Sequence, residues 1–241
     1  MEKVIIAKNL SKIYVKGQFN FDSLKDLIHS KFRKVEKTSV ENSFTALDNI
    51  SFEVLKGDRI CIIGKNGSGK STLLKILNKI TYPTNGSFLI SDKMVSVLEL
   101  GAGFHPEFTT KENIYLFASI YGMKIKDIDN IIDNVLDFSE LRDFIDTPVK
   151  KFSSGMHIKL ALSIFFNLKA QIFVLDEAFS VADNNFKDKC VQRLLDLNQD
   201  TTLVFVSHDY ELIKKICNKA IVLQKGKITF NGNLKDLIKW P

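Results

Sequence analysis

The sequence predicts an α/β fold built on a largely parallel sheet, and three observations carry that expectation. Runs of apolar residues at Ile60–Ile63, Ile172–Leu175, Leu203–Val206 and Ala220–Leu223 are separated by helix-spaced segments, the alternation that a parallel sheet needs. The first run ends in Gly64-Lys65-Asn66-Gly67-Ser68-Gly69-Lys70-Ser71-Thr72 and continues into Leu73-Leu74-Lys75-Ile76-Leu77, which reads as strand, glycine loop and helix. Between Thr110 and Leu168 the apolar spacing turns helical almost throughout, with Ile114, Leu116, Phe117 and Ile120 in the first such run, as a helical insert before the sheet resumes at Ile172.

The glycine loop fits G-x-x-x-x-G-K-[ST] between a strand and a helix, which is a P-loop. Gly64, Gly67 and Gly69 let the backbone curl so that the N–H groups from Asn66 to Thr72 converge on phosphate oxygens at a helix N-terminus. Lys70 reaches the β- and γ-phosphates in this reading, and the Ser71 hydroxyl ligates Mg²⁺. A nucleoside triphosphate is the expected ligand.

Upstream, Val4–Ile6 reads as a short strand, and Tyr14 places one aromatic ring ahead of the loop, able to stack on adenine or to pack at a strand edge. Between Gly17 and about Ser43 the pattern breaks: Phe21, Leu24, Leu27, Ile28 and Phe32 share one side of a helix whose other faces carry Lys25, Lys31, Arg33 and Lys34. Such a basic amphipathic helix can lie on a membrane surface or pack on its own domain with a solvated back. Alternating Ile50, Phe52 and Val54 then read as a strand before Lys56-Gly57, and Pro83–Gly86 as a turn ahead of strands at Phe88–Ile90 and Val95–Leu98. A short amphipathic helix is expected at Leu234–Ile238.

The 241 residues allow one large domain with a substantial core, at 26% charged and 45% hydrophobic residues. No stretch is long and apolar enough to span a bilayer, and the start lacks the pattern of a signal peptide, so a cytosolic chain is expected. Cys61, Cys190 and Cys217 have no metal or redox spacing and read as small buried hydrophobes. A net charge of +6 suits nucleotide, anionic lipid or nucleic acid without choosing among them.

Three further stretches suit a phosphate chemistry. The strand Ile172–Leu175 ends in Asp176-Glu177, where Asp176 can hold Mg²⁺ and Glu177 can polarise an attacking water; alone, this could equally be a strand ending in solvated acids. Ser153-Ser154-Gly155-Met156 opens a helix, and its N–H groups with the Ser153 hydroxyl make a second anion site. His208 follows the strand ending at Val206.

Taken in order, these residues resemble the nucleotide-binding subunit of ABC transporters over nearly the whole chain. Gly64–Ser71 is similar to Walker A, Ser153–Met156 to the LSGGQ signature with Ser154 and Met156 replacing its first Gly and its Gln, and Asp176-Glu177 to Walker B with the catalytic Glu. Ser180–Asp183 resembles the D-loop, His208 the switch histidine and Tyr14 the adenine-stacking residue. The resemblance implies a P-loop NTPase (RecA-like) core with an antiparallel β portion and a helical subdomain at about 102–168, in one domain over 1–241 with an insert at 17–43. It implies ATP and Mg²⁺, with Lys70, Glu177 and His208 in catalysis. It also implies a second copy in a head-to-tail ATP sandwich, whose Ser153, Ser154 and Gly155 complete the cage, and a separate transmembrane permease subunit.

The resemblance narrows at Leu98–Thr109 with Glu112-Asn113, and at Ser153–Met156, toward exporters of O-antigen, teichoic acid and related lipid-linked polysaccharides. Members of that group carry an insert after the aromatic residue, as at 17–43, which implies a lipid-linked glycan substrate. The usual Q-loop glutamine is replaced by Glu99 or Leu100, and no C-terminal carbohydrate-binding domain is expected beyond Trp240-Pro241. The competing readings are an ATPase of another ABC transporter and a soluble ABC ATPase acting on DNA or ribosomes. The second usually needs tandem domains or a long coiled coil, neither of which is in this sequence, so no nucleic-acid partner is expected.

Overall fold

The computed structural model describes residues 2–15, 43–97, 103–176 and 183–238. The insert expected at 17–43 lies outside them apart from Ser43, as do Leu98 to Leu100 and Glu177. The described chain begins with β1 (Lys3–Val15), β2 (Ser43–Leu55), β3 (Arg59–Ile63) and α1 (Lys70–Leu77), then β4 (Asn85–Ile90) and β5 (Met94–Val97). Helices α2 (Thr110–Ile120), α3 (Ile125–Asp129), α4 (Ile132–Ser139) and α5 (Ser154–Asn167) follow. The chain continues through β6 (Ile172–Asp176), α6 (Asn184–Leu195), β7 (Thr202–Val206), α7 (Tyr210–Ile216), β8 (Lys219–Gln224) and β9 (Lys227–Asn233).

The larger sheet has the order β5-β6-β7-β3-β8-β9; all neighbours are parallel except β9, which pairs antiparallel with β8. A smaller antiparallel sheet has the order β2-β1-β4. Side chains alternate across a strand, so each parallel strand feeds two cores. Ile60, Ile62, Ile172, Val174, Val204 and Val206 face α1 and the antiparallel sheet. Cys61, Phe173, Leu175, Leu203 and Phe205 belong to a second core, shared with α2, α4, α5, α6 and α7. Helix α1 therefore lies between two sheets, burying Leu73, Leu74, Ile76 and Leu77. Near-continuous apolar strands are what a parallel sheet covered on both faces requires.

The fold departs from sequence expectation in four places. β1 runs well past Ile6, carried through an irregularity at Asn9 (φ 49°), so Tyr14 belongs to the same strand and pairs with Phe44 of β2. β9 was not anticipated; it is paired to β8 by a two-residue turn, Lys225-Gly226, with both φ positive, as the twist of a hairpin requires. Instead of a helix over Leu234–Ile238 there is a single 3₁₀ turn at Leu234–Asp236, and Ile238 projects into solvent. In α2, Ile120 is exposed while Asn113 and Ala118 are buried. The three cysteines are free and buried as expected, and burial pushes the Cys190 thiol up to about 12. Among the described residues no helix is long and apolar enough to cross a membrane.

Asn113 explains its own burial. Its Oδ1 accepts from His105 N–H at 2.7 Å, and its Nδ2 donates to the carbonyls of Phe108 at 2.9 Å and Thr109 at 3.0 Å. Thr109 and Glu112 add a reciprocal capping box at the start of α2. The segment 105–109 is thus pinned to α2 by one side chain, because a buried amide is stable only with its bonds made. Asn113→Ala removes those bonds and leaves His105 N–H without its acceptor. The expected loss is about 2–3 kcal/mol, read as a lowered urea midpoint with an unchanged slope.

Candidate nucleotide site

The loop joining β3 to α1 is held from behind by backbone. Gly69 sits at φ 110° as the residue preceding α1, and a Cβ there would meet the Ala46 carbonyl oxygen at 2.6 Å. A Cβ on Gly64 would lie 2.3 Å from the Leu223 carbonyl oxygen. The turn between β8 and β9 supports the loop, with Gly226 N–H donating to the Ser68 carbonyl at 3.0 Å and Asp48 N–H to the Gly226 carbonyl at 2.9 Å. Pinned in this way, the first turn of α1 presents N–H groups that have no intrahelical acceptor.

Lys70 is 8% exposed, and its ammonium donates to the carbonyls of Gly64 at 2.6 Å and Lys65 at 3.3 Å. The Ser68 hydroxyl is buried without a hydrogen-bond partner in the structure. A cavity of about 520 Å³ opens over the loop, lined by residues 66–72, by Asp176 at the end of β6, and by Phe44 and Ala46 of β2. One end offers amides, an ammonium and hydroxyls, and the other is apolar. The donor end suits a polyphosphate and the apolar end an aromatic base.

Ser71 and Asp176 supply oxygen donors to the same cavity, which fits Mg²⁺ held by few protein ligands and completed by phosphate and water. No cluster of three or more His, Cys, Asp or Glu side chains able to hold a metal occurs among the described residues. Such a cage is not needed when the substrate brings its own oxygens.

Of the other residues singled out by sequence, His208 stands exposed beyond the end of β7, the strand between β6 and β3. Glu177 lies outside the described residues. The expected stacking residue Tyr14 does not line the cavity, whereas Phe44, its partner across β1 and β2, does. Ser153, Ser154 and Gly155 open α5 away from this cavity, with Ser153 Oγ accepting from Met156 N–H at 3.2 Å.

Several positioning contacts were not foreseen, although Asp183 belongs to the expected D-loop stretch. Asp183 caps α6, accepting from Phe186 N–H at 2.9 Å, and its other oxygen pairs with Lys159 of α5 at 2.9 Å. Lys159 also pairs with Glu140 at 2.8 Å. The Lys159 ammonium and then the Phe186 N–H hold the Asp183 carboxyl below the usual range. Asp209, beside His208, caps α7 through Leu212 N–H at 3.1 Å and pairs with Lys187 at 2.8 Å. A capping Asp before a helix was a readable signal in both cases; the distant lysines were not.

A family model described as "ABC transporter" matches residues 47–180, more than half of the chain. The chain belongs to the ABC transporter family. Among its relatives, the O-antigen export system ATP-binding protein RfbB of Klebsiella pneumoniae is 34% identical over 240 residues, covering 99% of this chain and 97% of that protein. The teichoic acids export ATP-binding protein TagH of Enterococcus faecalis is 39% identical over 239 residues; the match covers 99% of this chain and about half, 52%, of that protein. The dimeric post-hydrolysis structure of the ATP-binding cassette MJ0796 bound to ADP and Pi superposes with a TM-score of 0.74 at 22% identity, covering 95% of this chain and 98% of that one. That likeness speaks to the fold, a P-loop NTPase cassette.

Two outcomes follow for this ABC cassette. Gly69→Ala forces a Cβ into the Ala46 carbonyl at a left-handed residue, so thermal stability should fall and nucleotide binding by equilibrium titration should be lost. The Lys187 ammonium, then the Leu212 N–H, depress the Asp209 carboxyl. A depressed folded pKa adds stability above the ordinary value of about 4 and loses it as pH falls through the folded value. Lys187→Met should therefore cost about 0.5 kcal/mol at neutral pH, given the exposure of the pair. The difference from wild type should close as urea midpoints are followed into acid.

Proposed function

We propose that this chain binds and hydrolyses ATP to power the export of a lipid-linked polysaccharide through a separate membrane subunit. The observation that carries the ATPase part is the single cavity in which the Lys70 loop, Ser71 and Asp176 meet. The exporter part rests on relatives named for O-antigen and teichoic acid export that align over almost the whole chain. Ser71 and Asp176 would hold Mg²⁺, which neutralises charge on the phosphate oxygens when bound.

In this reading, the N–H groups of residues 66–72 and the Lys70 ammonium hold the phosphates. Glu177, directly after Asp176, accepts a proton from the attacking water, and His208 contacts the terminal phosphate from the neighbouring strand. Ser153, Ser154 and Gly155 open away from their own cavity, which supports a head-to-tail pair in which they meet a nucleotide held by the second copy. Closing and reopening that interface would move attached membrane helices. The subunit then sits at the cytoplasmic face of the membrane through its partner, with the segment 17–43 available to an anionic headgroup.

Glu177→Gln should bind ATP normally while turnover falls by about 10²-fold or more. The same variant, trapped with ATP and recovered from membranes, should bring with it a multispanning protein and a lipid-linked glycan. Recovery of a soluble or nucleic-acid partner instead would overturn the exporter reading and leave the ATPase reading standing.

A further inference from the structure

A second cavity, of about 610 Å³, lies between α4 and α6 over the end of α5, and it shares no residue with the nucleotide cavity. Its floor is aromatic. Phe166 is buried there, and the half-buried Phe138 ring packs edge-on against it at 5.7 Å and against Phe186 at 5.4 Å. Lys189 on the α6 wall pairs with Glu140, the residue that follows α4, so the two walls are joined without a ligand and the cavity is preformed.

The polar groups of the rim divide by whether their bonds are already made. Both carboxylates are engaged: Asp137 accepts from Arg142 Nε at 2.7 Å, and Asp196 from the Gln192 amide at 2.9 Å. Among the described residues the Arg193 guanidinium has neither an ion pair nor a hydrogen bond, although it lines the cavity. A guanidinium presents its N–H donors in a planar fork, which a carboxylate matches with two parallel bonds. What the cavity lacks is therefore an acceptor of negative charge carried on an apolar body.

We infer that this cavity binds a small aryl carboxylate, with its ring on the Phe138 and Phe166 floor and its carboxylate on Arg193. Both halves are needed, since a ring alone leaves Arg193 unpaired and an anion alone covers none of the floor. Asp137 and Asp196 on the same rim repel a second carboxylate, so the ligand is a monoanion. The volume suits a small molecule, whose pockets span about 300–1,000 Å³.

Backbone amide NMR shifts of the full chain, titrated with 1-naphthylacetate, acetate and 1-naphthylmethylamine, test this in wild type, Arg193→Gln and Arg193→Lys. In wild type, 1-naphthylacetate should give saturable shifts at residues 134–138 and 189–196, with a dissociation constant on the order of 1 mM for a ligand of its size. Acetate, which lacks the ring, and the amine, which reverses the charge, should give none there. Arg193→Gln changes an exposed residue, so it should keep the wild-type urea midpoint while weakening 1-naphthylacetate by about tenfold. Arg193→Lys should recover part of that loss, because it keeps the charge but not the fork. The inference is overturned if the amine shifts the same amides as strongly as the acid, or if Arg193→Gln binds the acid as wild type does. Shifts centred on residues 66–72, or no saturable shift well above the expected constant, overturn it as well.

Discussion

Everything at the site depends on a loop that must keep its amides unpaired and aimed one way. Within the loop Ser68 N–H donates to the Lys65 carbonyl at 3.1 Å and the Lys70 ammonium to the Gly64 carbonyl at 2.6 Å, and further restraint comes from behind. Here it comes from close backbone approaches: Gly69 against the Ala46 carbonyl, Gly64 against the Leu223 carbonyl, and Gly226 donating to Ser68. These contacts join β2, β8 and the β8–β9 turn to the loop. They leave no room for a Cβ at Gly64 or Gly69; Gly64 is required by space, and Gly69 by space and by its left-handed φ of 110°.

The parallel sheet does the remaining positioning. β3, β7 and β6 are neighbours and run the same way, so the Lys70 loop, His208 and Asp176 all emerge at one edge. Ligands of open α/β sheets bind at the carboxyl ends of the strands for this reason. Beyond that edge, ion pairs link the helices that follow. Lys159 joins α5 to Asp183 and Glu140, while Lys187 joins α6 to Asp209. The caps of α6 and α7 are thereby each bonded to the helix before them.

Much of this was legible in the chain because the signals were local. Four apolar runs marked strands that the structure contains, and the glycine spacing marked the loop, since both depend on neighbours a few residues away. The hairpin strand β9 was missed although Lys225-Gly226 is a turn signal, because its half-buried alternation, with Ile228 and Phe230 diluted by polar residues, is weak by hydropathy. The helix expected at Leu234–Ile238 was a period read over too few residues to nucleate one. Ile120 fitted the helical period yet faces solvent, because the buried face of α2 is set partly by Asn113, a polar residue that hydropathy assigns to the surface.

By itself, the sequence determined the fold class, the phosphate loop and the order of the residues expected around it, because these follow from short-range patterning of glycine, charge and apolar side chains. Only the tertiary structure decided that Phe44, and not Tyr14, lines the cavity, and that Lys159 and Lys187 reach carboxylates across helix boundaries. Strand register and helix packing bring those groups together, and both are set by long-range contacts that no local spacing encodes.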